Sequence, residues 1–230
     1  NGIVRTPPGF IEAYQAYCAA GCSQLGAPEI YGGTGRPEVL TLAATEIINA
    51  ANPAFFLYPG LSRAAMATIE RAGSDWMRTY IVPKMVSGEW AGTMCLTEAH
   101  SGTDLKLINT RAVELPDGSF EITGTKIFIS GGDHDLTENI IHLVLAKLPN
   151  ADGNYVDDLA TVALFLVPKA KVAADGGLAG TSNGVSTGGV EKKMGLKGSA
   201  TCVLNFDGSI GMKLGSTKKD APTHSKSSGM

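Results

Sequence analysis

The sequence predicts an α+β chain of two domains, an all-α domain followed by an all-β domain. Residues 7–88 repeat apolar side chains at the spacing of amphipathic helices, and the chain beyond residue 88 consists of short β-rich runs separated by turn residues. Strands and helices do not alternate, which argues against a doubly wound nucleotide-binding fold. We expect a helical domain over residues 1–88, a small β-barrel or sandwich over residues 89–208, and a disordered tail over residues 209–230.

Proline and glycine delimit the predicted helices. The segment FIEAYQAYCAA follows a Pro-Pro-Gly turn, EVLTLAATEIINAA stops at Asn52-Pro53, and LSRAAMATIERAG ends at Gly73. The second segment carries a helical apolar stripe, which we expect to be buried against other helices. That stripe comprises Leu40, Ala44, Ile47 and Ile48.

Six β-rich runs define the predicted second domain. They are GTMCLT, NTRAVEL, SFEITGTKIFIS, NIIHLVLAKL, TVALFLVP and ATCVLNFDG. The Gly-rich span 174–189 is interpreted as a connector between the last two runs, because glycine clusters are typical of turns.

The charge pattern excludes some function classes. Charged residues are 18% of the 230 residues and the formal net charge is -3, so no strong field attracts a polyanion or a lipid surface. The longest apolar runs, 140–146 and 161–167, are far shorter than the roughly 20 residues of a bilayer-spanning helix. We therefore expect neither a nucleic-acid partner nor a membrane span.

The N-terminus and the cysteines indicate context. The chain starts without Met and without a signal-peptide pattern, so it is interpreted as the interior of a longer protein. Its four cysteines are too scattered for a disulfide framework, and Cys18 and Cys22 lack the second ligand pair of a zinc site. Helix-packing thiols in a reducing compartment, the cytoplasm, are the expectation, and no metal is predicted.

The stretch MCLTEAHSGTDL, residues 94–105, passes from an apolar strand into a loop of small polar residues. Backbone N–H groups of such a loop can form an anion cradle, although an ordinary exposed turn has the same local composition. The GGTGRPE segment lacks the third glycine of a dinucleotide fingerprint and follows a helix, so it is not interpreted as one. The loop after residue 94 is the stronger candidate site.

A second motif, TGTKIFIS, favours a ligand-binding loop over an ordinary exposed turn for residues 94–105. The two-residue period of a strand places Phe128 and Ser130 on one face. An aromatic ring beside a hydroxyl suits a planar heteroaromatic ligand, because the ring covers its face and the hydroxyl bonds its edge. The two motifs together therefore predict a cofactor site.

These motifs resemble the acyl-CoA dehydrogenase family of flavoproteins. Its middle domain carries a [Tyr/Met]-x-[Val/Leu]-Thr-Glu-(Pro)-x-x-Gly-Ser-Asp strand and loop and a Gly-x-Lys-x-Trp-Ile-[Thr/Ser] strand, which residues 94–104 and 124–130 match. The resemblance covers about residues 7–208. The SGGDHDLTENIIHLVLAKLP and KKMGLKGSATCVLNFDG segments most resemble the larger branch that contains 3-methylmercaptopropionyl-CoA dehydrogenases.

The resemblance implies an FAD site with two walls. In the first wall, backbone groups of Met94 and Leu96 and the Thr97 hydroxyl hold the pyrimidine edge, while Gly102 and Thr103 approach the pyrophosphate. Thr103 also lies near the acyl-CoA. In the second wall, Phe128 stacks on the isoalloxazine and Ser130 bonds its N5. The complete set of cofactor-binding positions is Met94, Cys95, Leu96, Thr97, Gly102, Thr103, Phe128, Ile129 and Ser130.

Three departures from the family pattern matter. Thr103 replaces the usual Ser and Phe128 the usual Trp, and each keeps the hydroxyl or the π-face. The family's catalytic base is a Glu from a C-terminal helical bundle, which we expect to be absent from this chain. No catalytic residue is therefore assigned, and Glu98 is interpreted as part of the cofactor loop rather than as a base.

The implied reaction is α,β-dehydrogenation of an acyl-CoA, with hydride passing to flavin N5 and then to electron-transfer flavoprotein or a similar acceptor, in fatty-acid β-oxidation. The full-length protein is expected to be a homo-oligomer. The alternative is a truncated, non-catalytic remnant that binds flavin weakly or not at all. A nucleic-acid-associated relative would need a basic C-terminal surface, and only four lysines follow Leu204: Lys213, Lys218, Lys219 and Lys226. The basic loop 191–199 could meet CoA phosphates or be a solvated turn.

Overall fold

A computed structural model describes residues 3–215, in which five α-helices precede nine β-strands. The helices are α1 (Phe10–Ala19), α2 (Glu38–Ala51), α3 (Pro53–Ala72), α4 (Asp75–Tyr80) and α5 (Val82–Ser87). The strands are β1 (Trp90–Cys95), β2 (Arg111–Glu114), β3 (Phe120–Ser130), β4 (Asn139–Lys147), β5 (Val162–Pro168), β6 (Ala170–Val172), β7 (Leu178–Ser182), β8 (Val185–Val190) and β9 (Thr201–Lys213). The predicted order, helical domain and then β domain, is confirmed, and no helical bundle follows β9 within residues 3–215.

The Asn52-Pro53 pair both ends α2 and begins α3. The Asn52 side chain accepts a hydrogen bond from the backbone N–H of Phe55 at 3.0 Å, so it caps the N-terminus of α3. Pro53 takes the first helical position, where its missing N–H has no consequence. The third helix therefore starts well before the predicted LSRAAMATIERAG segment.

The predicted buried stripe of α2 is wrong for two of its four residues. Leu40 is 50% exposed and Ile47 is 71% exposed. The buried side instead follows Thr41, with Ala44 and Ile48 half-buried beside it. Because α2 packs against α3, the residues that face α3 set the buried side, and the neighbouring apolar residues remain at the surface.

The β domain closes into a small barrel. The pairings run from β4 through β2, β3, β9 and β5 and return to β4, so the sheet has no free end along this path. β1 adds to β4 in parallel, with Trp90 opposite Asn139 and Cys95 opposite Val144. The end of β1 therefore lies beside the middle of β4, and the loop after β1 begins there.

Two boundaries in the β domain differ from the predictions. The Gly-rich span 174–189 contains β7 and most of β8, because Gly176 and Gly184 adopt positive φ at the turns before these two short strands. The predicted tail from residue 209 is contradicted for residues 209–213, since β9 continues through Lys213 and pairs with β3 and β5. Residues 216–230 of that predicted tail lie outside the described residues.

Of the three apolar clusters in residues 3–215, one stabilises the barrel and one joins it to the helices. One lies within the barrel and includes Phe165 and Phe206. The other joins the helices to the sheet, where Ile69 of α3 packs in the same cluster as Trp90 and Leu143. Burial of this shared interface orients the helical domain against β1. Within residues 3–215, no helix has both the length and the apolar character that crossing a bilayer requires.

Candidate functional site

The loop after β1 is held in a defined shape by its own hydrogen bonds. Glu98 and Ser101 exchange backbone hydrogen bonds of 2.8 and 3.1 Å around a tight turn. The Ser101 hydroxyl then donates to the Asp104 carbonyl at 2.7 Å. Gly102 and Thr103 are exposed at the outer side of this turn. The loop therefore presents small residues to solvent on a fixed frame.

The structure brings the two sequence motifs together. The backbone N–H of Ile127 donates to the Thr97 carbonyl at 2.9 Å. The Lys126 ammonium donates to the Leu96 carbonyl at 3.1 Å. Strand β3 is thus bonded directly to the residues that leave β1, and the loop and the strand form one continuous surface.

Phe128 has a left-handed backbone conformation, with φ of 60°, at a bulge where β3 loses register with β9 between Lys126 and Ile129. An aromatic residue rarely adopts this conformation, and such outliers cluster at functional sites. The bulge leaves the Phe128 side chain 57% exposed, whereas that of Ile129 is buried. Ser130 is half-buried. Strand β3 therefore presents an aromatic ring at the surface close to a hydroxyl-bearing residue.

The remaining predicted site residues divide by burial. The side chains of Cys95 and Ile129 belong to the barrel core, so only their backbone groups are available to a ligand. Met94 packs against the core that joins the two domains. Leu96 and Thr97 are half-buried at the surface. The candidate site is therefore an open shelf rather than a closed pocket.

Glu98 is occupied by structural hydrogen bonds. Its carboxylate accepts from the backbone N–H groups of Asn109 and Thr110 at 2.6 and 3.0 Å, from the Thr110 hydroxyl at 2.6 Å, and from Lys126 at 2.8 Å. Burial raises the pKa of Glu98, but the hydrogen bonds from Lys126 and Thr110 outweigh burial and hold that pKa below its usual value. An ionised carboxylate that accepts four hydrogen bonds is poorly placed to abstract a proton.

Lys126 is the residue that the sequence interpretation missed. Its side chain is 0% exposed, and burial lowers its pKa although Glu98 favours the charged form. The two-residue period of β3 already places Lys126 on the same face as the buried Ile122. A lysine that faces the core requires a buried hydrogen-bond acceptor. This requirement could have identified Lys126 as a functional position from the sequence.

A groove of about 920 Å³ lies between the N-terminal segment, β8 and the loop before β9, and its lining residue Ala200 accepts a hydrogen bond from Gly131, next to Ser130. Asp133 accepts from Lys169 and, at 2.8 Å, from the Thr187 hydroxyl at its edge. Burial lowers the pKa of the adjacent His134 to about 4. None of the nine predicted cofactor-binding residues lines this groove.

The cysteines and the metal-ligand types are dispersed. Cys18 and Cys22 are free thiols, and burial raises the pKa of Cys18. Within residues 3–215, no three His, Cys, Asp or Glu side chains are grouped as metal ligands.

The basic loop 191–199 carries a fully exposed Met194 and an exposed Leu196.

Comparison with known proteins identifies both domains. The model of the acyl-CoA dehydrogenase N-terminal domain matches residues 6–89, and that of the acyl-CoA dehydrogenase middle domain matches residues 93–209. The chain belongs to the acyl-CoA dehydrogenase family. The family resemblance predicted from the two motifs is thereby confirmed.

Among relatives in this family, 3-methylmercaptopropionyl-CoA dehydrogenase of Ruegeria pomeroyi is 40% identical over 215 residues, which are 94% of this chain and 36% of that protein. A butyryl-CoA dehydrogenase of Syntrophomonas wolfei is 36% identical over 99% of this chain and 36% of that protein. The chain thus spans about a third of the length of these curated relatives.

Solved acyl-CoA dehydrogenases share the fold. The enzyme of Bacillus anthracis, whose structure is a complex with FAD, superposes with a TM-score of 0.72 at 25% identity. The match covers 91% of this chain and 32% of that chain. Butyryl-CoA dehydrogenase of Megasphaera elsdenii superposes with a TM-score of 0.70 at 23% identity, over 91% of this chain and 51% of that chain. The helical and β domains therefore have the arrangement of this family.

Proposed function

We propose that this chain forms the FAD-binding face of an enzyme that introduces a Cα–Cβ double bond into an acyl-CoA thioester. The observation that carries the proposal is the shelf itself. The strained Phe128 is exposed on β3, and the backbone of β3 is bonded to Thr97 in the loop after β1. A flat ring and a polar edge on one rigid surface fit an isoalloxazine.

The residues of the shelf suit the chemical parts of FAD. Thr97 and Ser130 are half-buried and Thr103 is exposed, so a ligand on the shelf can reach the hydroxyls of all three. Gly102 and Thr103 are exposed on a loop whose backbone N–H groups suit a pyrophosphate. Cys95 and Ile129 contribute only backbone to this site, because their side chains lie in the core.

Each part of the shelf has a proposed task. Backbone groups of Met94 and Leu96 and the Thr97 hydroxyl hold the pyrimidine edge, and the Phe128 ring covers the flavin face. The Ser130 hydroxyl hydrogen-bonds the N5 edge and fixes its orientation. FAD, when bound, supplies the hydride acceptor.

Substrate chemistry requires more than this shelf. Thr103 is proposed to contact the acyl-CoA as well as the pyrophosphate. Removal of the α-proton needs a carboxylate base, and Glu98 is committed to Lys126 and Thr110. We place the base in a region that corresponds to the rest of the relatives' length, beyond the 36% that this chain spans.

The test is a flavin titration followed by substrate. The purified chain is titrated with FAD while flavin fluorescence and visible absorbance are recorded, and an acyl-CoA is then added without oxygen. Saturable FAD binding without bleaching is the expected result. Bleaching would place a working base within this chain and overturn the assignment of the base to another region.

The second candidate function is a non-catalytic chain that binds flavin weakly or not at all, and it is favoured by the open shelf and by the commitment of the Glu98 carboxylate to Thr110 and Lys126. It predicts no saturable FAD binding in the same titration. A chain that binds FAD with micromolar or tighter affinity contradicts this second candidate.

Several expectations about the whole protein are part of the proposal. They are electron transfer to electron-transfer flavoprotein or a similar acceptor, assembly as a homo-oligomer, a role in fatty-acid β-oxidation, and a cytoplasmic location. The family membership supports the first three, and the free cysteines, which persist in a reducing compartment, support the last. Acceptor assays and size measurement on the full-length protein test the first two.

A further inference from the structure

We infer that Glu98 and Lys126 form a positioning pair whose ion pair fixes the loop wall of the flavin site against the β3 wall. This inference rests on the proposed function, because it concerns the geometry of the same site. Neither residue lies on the exposed shelf, so each acts through the residues it holds rather than by contact with a ligand.

The burial of this pair calls for an explanation beyond stability. Lys126 is 0% exposed and Glu98 is 5% exposed, so both charges have been removed from water. The desolvation of a buried ion pair offsets most of its attraction, and an apolar pair of similar size often stabilises a protein as well. Net stability therefore does not account for this buried pair, whereas its directional hydrogen bonds can select one arrangement of the loop against β3.

The bonds of the pair connect three segments of the chain. Lys126, on β3, donates to Glu98 at 2.8 Å and to the Leu96 carbonyl at 3.1 Å. Glu98 accepts from the residues just before β2, Asn109 and Thr110. The loop between β1 and β2 is therefore held at both of its ends by one ion pair.

The same pair supports the strained residue of the other wall. Lys126 is buried on one side of Phe128 and Ile129 on the other, while Ile127 donates to the Thr97 carbonyl. A left-handed backbone at a bulky residue persists only where its surroundings over-determine it. Loss of the Lys126 anchor should therefore release both the loop and the outward position of the Phe128 ring.

Three variants separate positioning from stability. Lys126→Met and Glu98→Gln each remove one charge, and the double variant Glu98→Gln/Lys126→Met restores charge balance with side chains of similar size. For each variant, the urea midpoint measures stability and the FAD dissociation constant measures affinity. The vibrational fine structure of the bound flavin's visible absorbance band measures how rigidly the site holds the ring. Lys147→Met is the control, because Lys147 is also buried and also pairs with a carboxylate, that of Asp157 at 2.5 Å.

The double variant is expected to recover most of the urea midpoint lost in Lys126→Met, yet to bind FAD at least about tenfold more weakly than the wild type, since the Leu96 anchor is still absent. Its bound flavin should show a broadened band. Lys147→Met should change the midpoint and leave the dissociation constant within about twofold.

The outcomes are distinguishable. If the double variant binds FAD like the wild type, with an unchanged band, the positioning role is wrong and the proposed function stands. If single variants fail to fold, the double variant alone decides. If the wild-type chain shows no FAD binding, the proposed function falls and the inference falls with it.

Discussion

The phenol oxygen of Tyr58 accepts a hydrogen bond from the backbone N–H of Ala200 at 2.8 Å and donates one to the Gly198 carbonyl at 3.1 Å. Tyr58 lies on α3 and Ala200 immediately precedes β9, so one hydroxyl joins the helical domain to the barrel. Tyr58→Phe leaves the buried N–H of Ala200 without a partner. We expect the free energy of unfolding to fall by about 1–3 kcal/mol, measured by urea denaturation.

Tyr80→Phe is the matched control for that change, because Tyr80 is partly exposed and removal of a surface hydroxyl should shift stability by less than about 0.5 kcal/mol. Equal effects of the two substitutions would show that the Tyr58 hydroxyl does not stabilise the domain contact.

Ser130→Ala tests the hydroxyl of the shelf. The loss of one hydrogen bond should weaken FAD binding by about 1 kcal/mol, or roughly fivefold. Because Ser130 is half-buried and pairs with Thr201 through its backbone, the urea midpoint should change little. An unchanged FAD dissociation constant in a fluorescence titration would remove Ser130 from the site.

Phe128 allows binding and strain to be measured separately. Phe128→Ala and Phe128→Gly both remove the ring, so both should weaken FAD binding more than Ser130→Ala does. Glycine adopts the φ of 60° without strain, whereas alanine does not. The glycine variant should therefore be the more stable of the two by about 1 kcal/mol. If alanine is equally stable, residue 128 carries no backbone strain.

Two buried histidines predict acid sensitivity. Burial lowers the pKa of His142 to about 3 and that of His134 to about 4. Below the unfolded value of about 6.5 the unfolded chain takes up protons that the folded chain does not, so stability is present above pH 6.5 and is lost as pH falls. His142 should add a slope approaching about 1.4 kcal/mol per pH unit between pH 6 and pH 4, and His134 a similar slope only down to about pH 5, because its folded form also takes up a proton near pH 4.

Urea midpoints measured from pH 7 to pH 4 check that slope, and His142→Gln should reduce it. His142 Nδ1 lies 2.8 Å from the Thr93 hydroxyl, so this variant will also be less stable at pH 7. The change of slope with pH, rather than the stability at one pH, is therefore the quantity to compare. An unaltered slope would contradict a neutral, buried His142.

The order of the two domains and the site motifs could be predicted because periodicity and turn residues are local. The orientation of α2 could not, because Leu40 and Thr41 are equally compatible with a helix and only the position of α3 determines which is buried. The extent of β9 was missed for a related reason. Gly208 reads as a turn, but in the barrel it is a kink within a strand that continues to its partners.

At the site, neither the exposure of the Phe128 ring nor the burial of the Lys126 side chain was predicted from the sequence pattern. Strand alternation puts Phe128 on the same side of β3 as the buried Ile122 and Lys126, so its exposure comes from the bulge between Lys126 and Ile129, which no turn residue encodes. Lys126 has the parity of a core position, yet its role depends on Glu98, which is distant in sequence. Such pairings depend on the closed barrel and are not visible in a local pattern.

The parallel pairing of β1 with β4 has a consequence for folding. When β1 pairs with β4, the intervening residues 96–138 form a closed loop of chain, which contains both the loop wall and the bulged strand β3. Non-local closures form late, after helices with local contacts. The amides of Ile127 and Thr110 should therefore acquire protection from hydrogen exchange together with those of β4, so that the ligand surface assembles as part of the final cooperative unit.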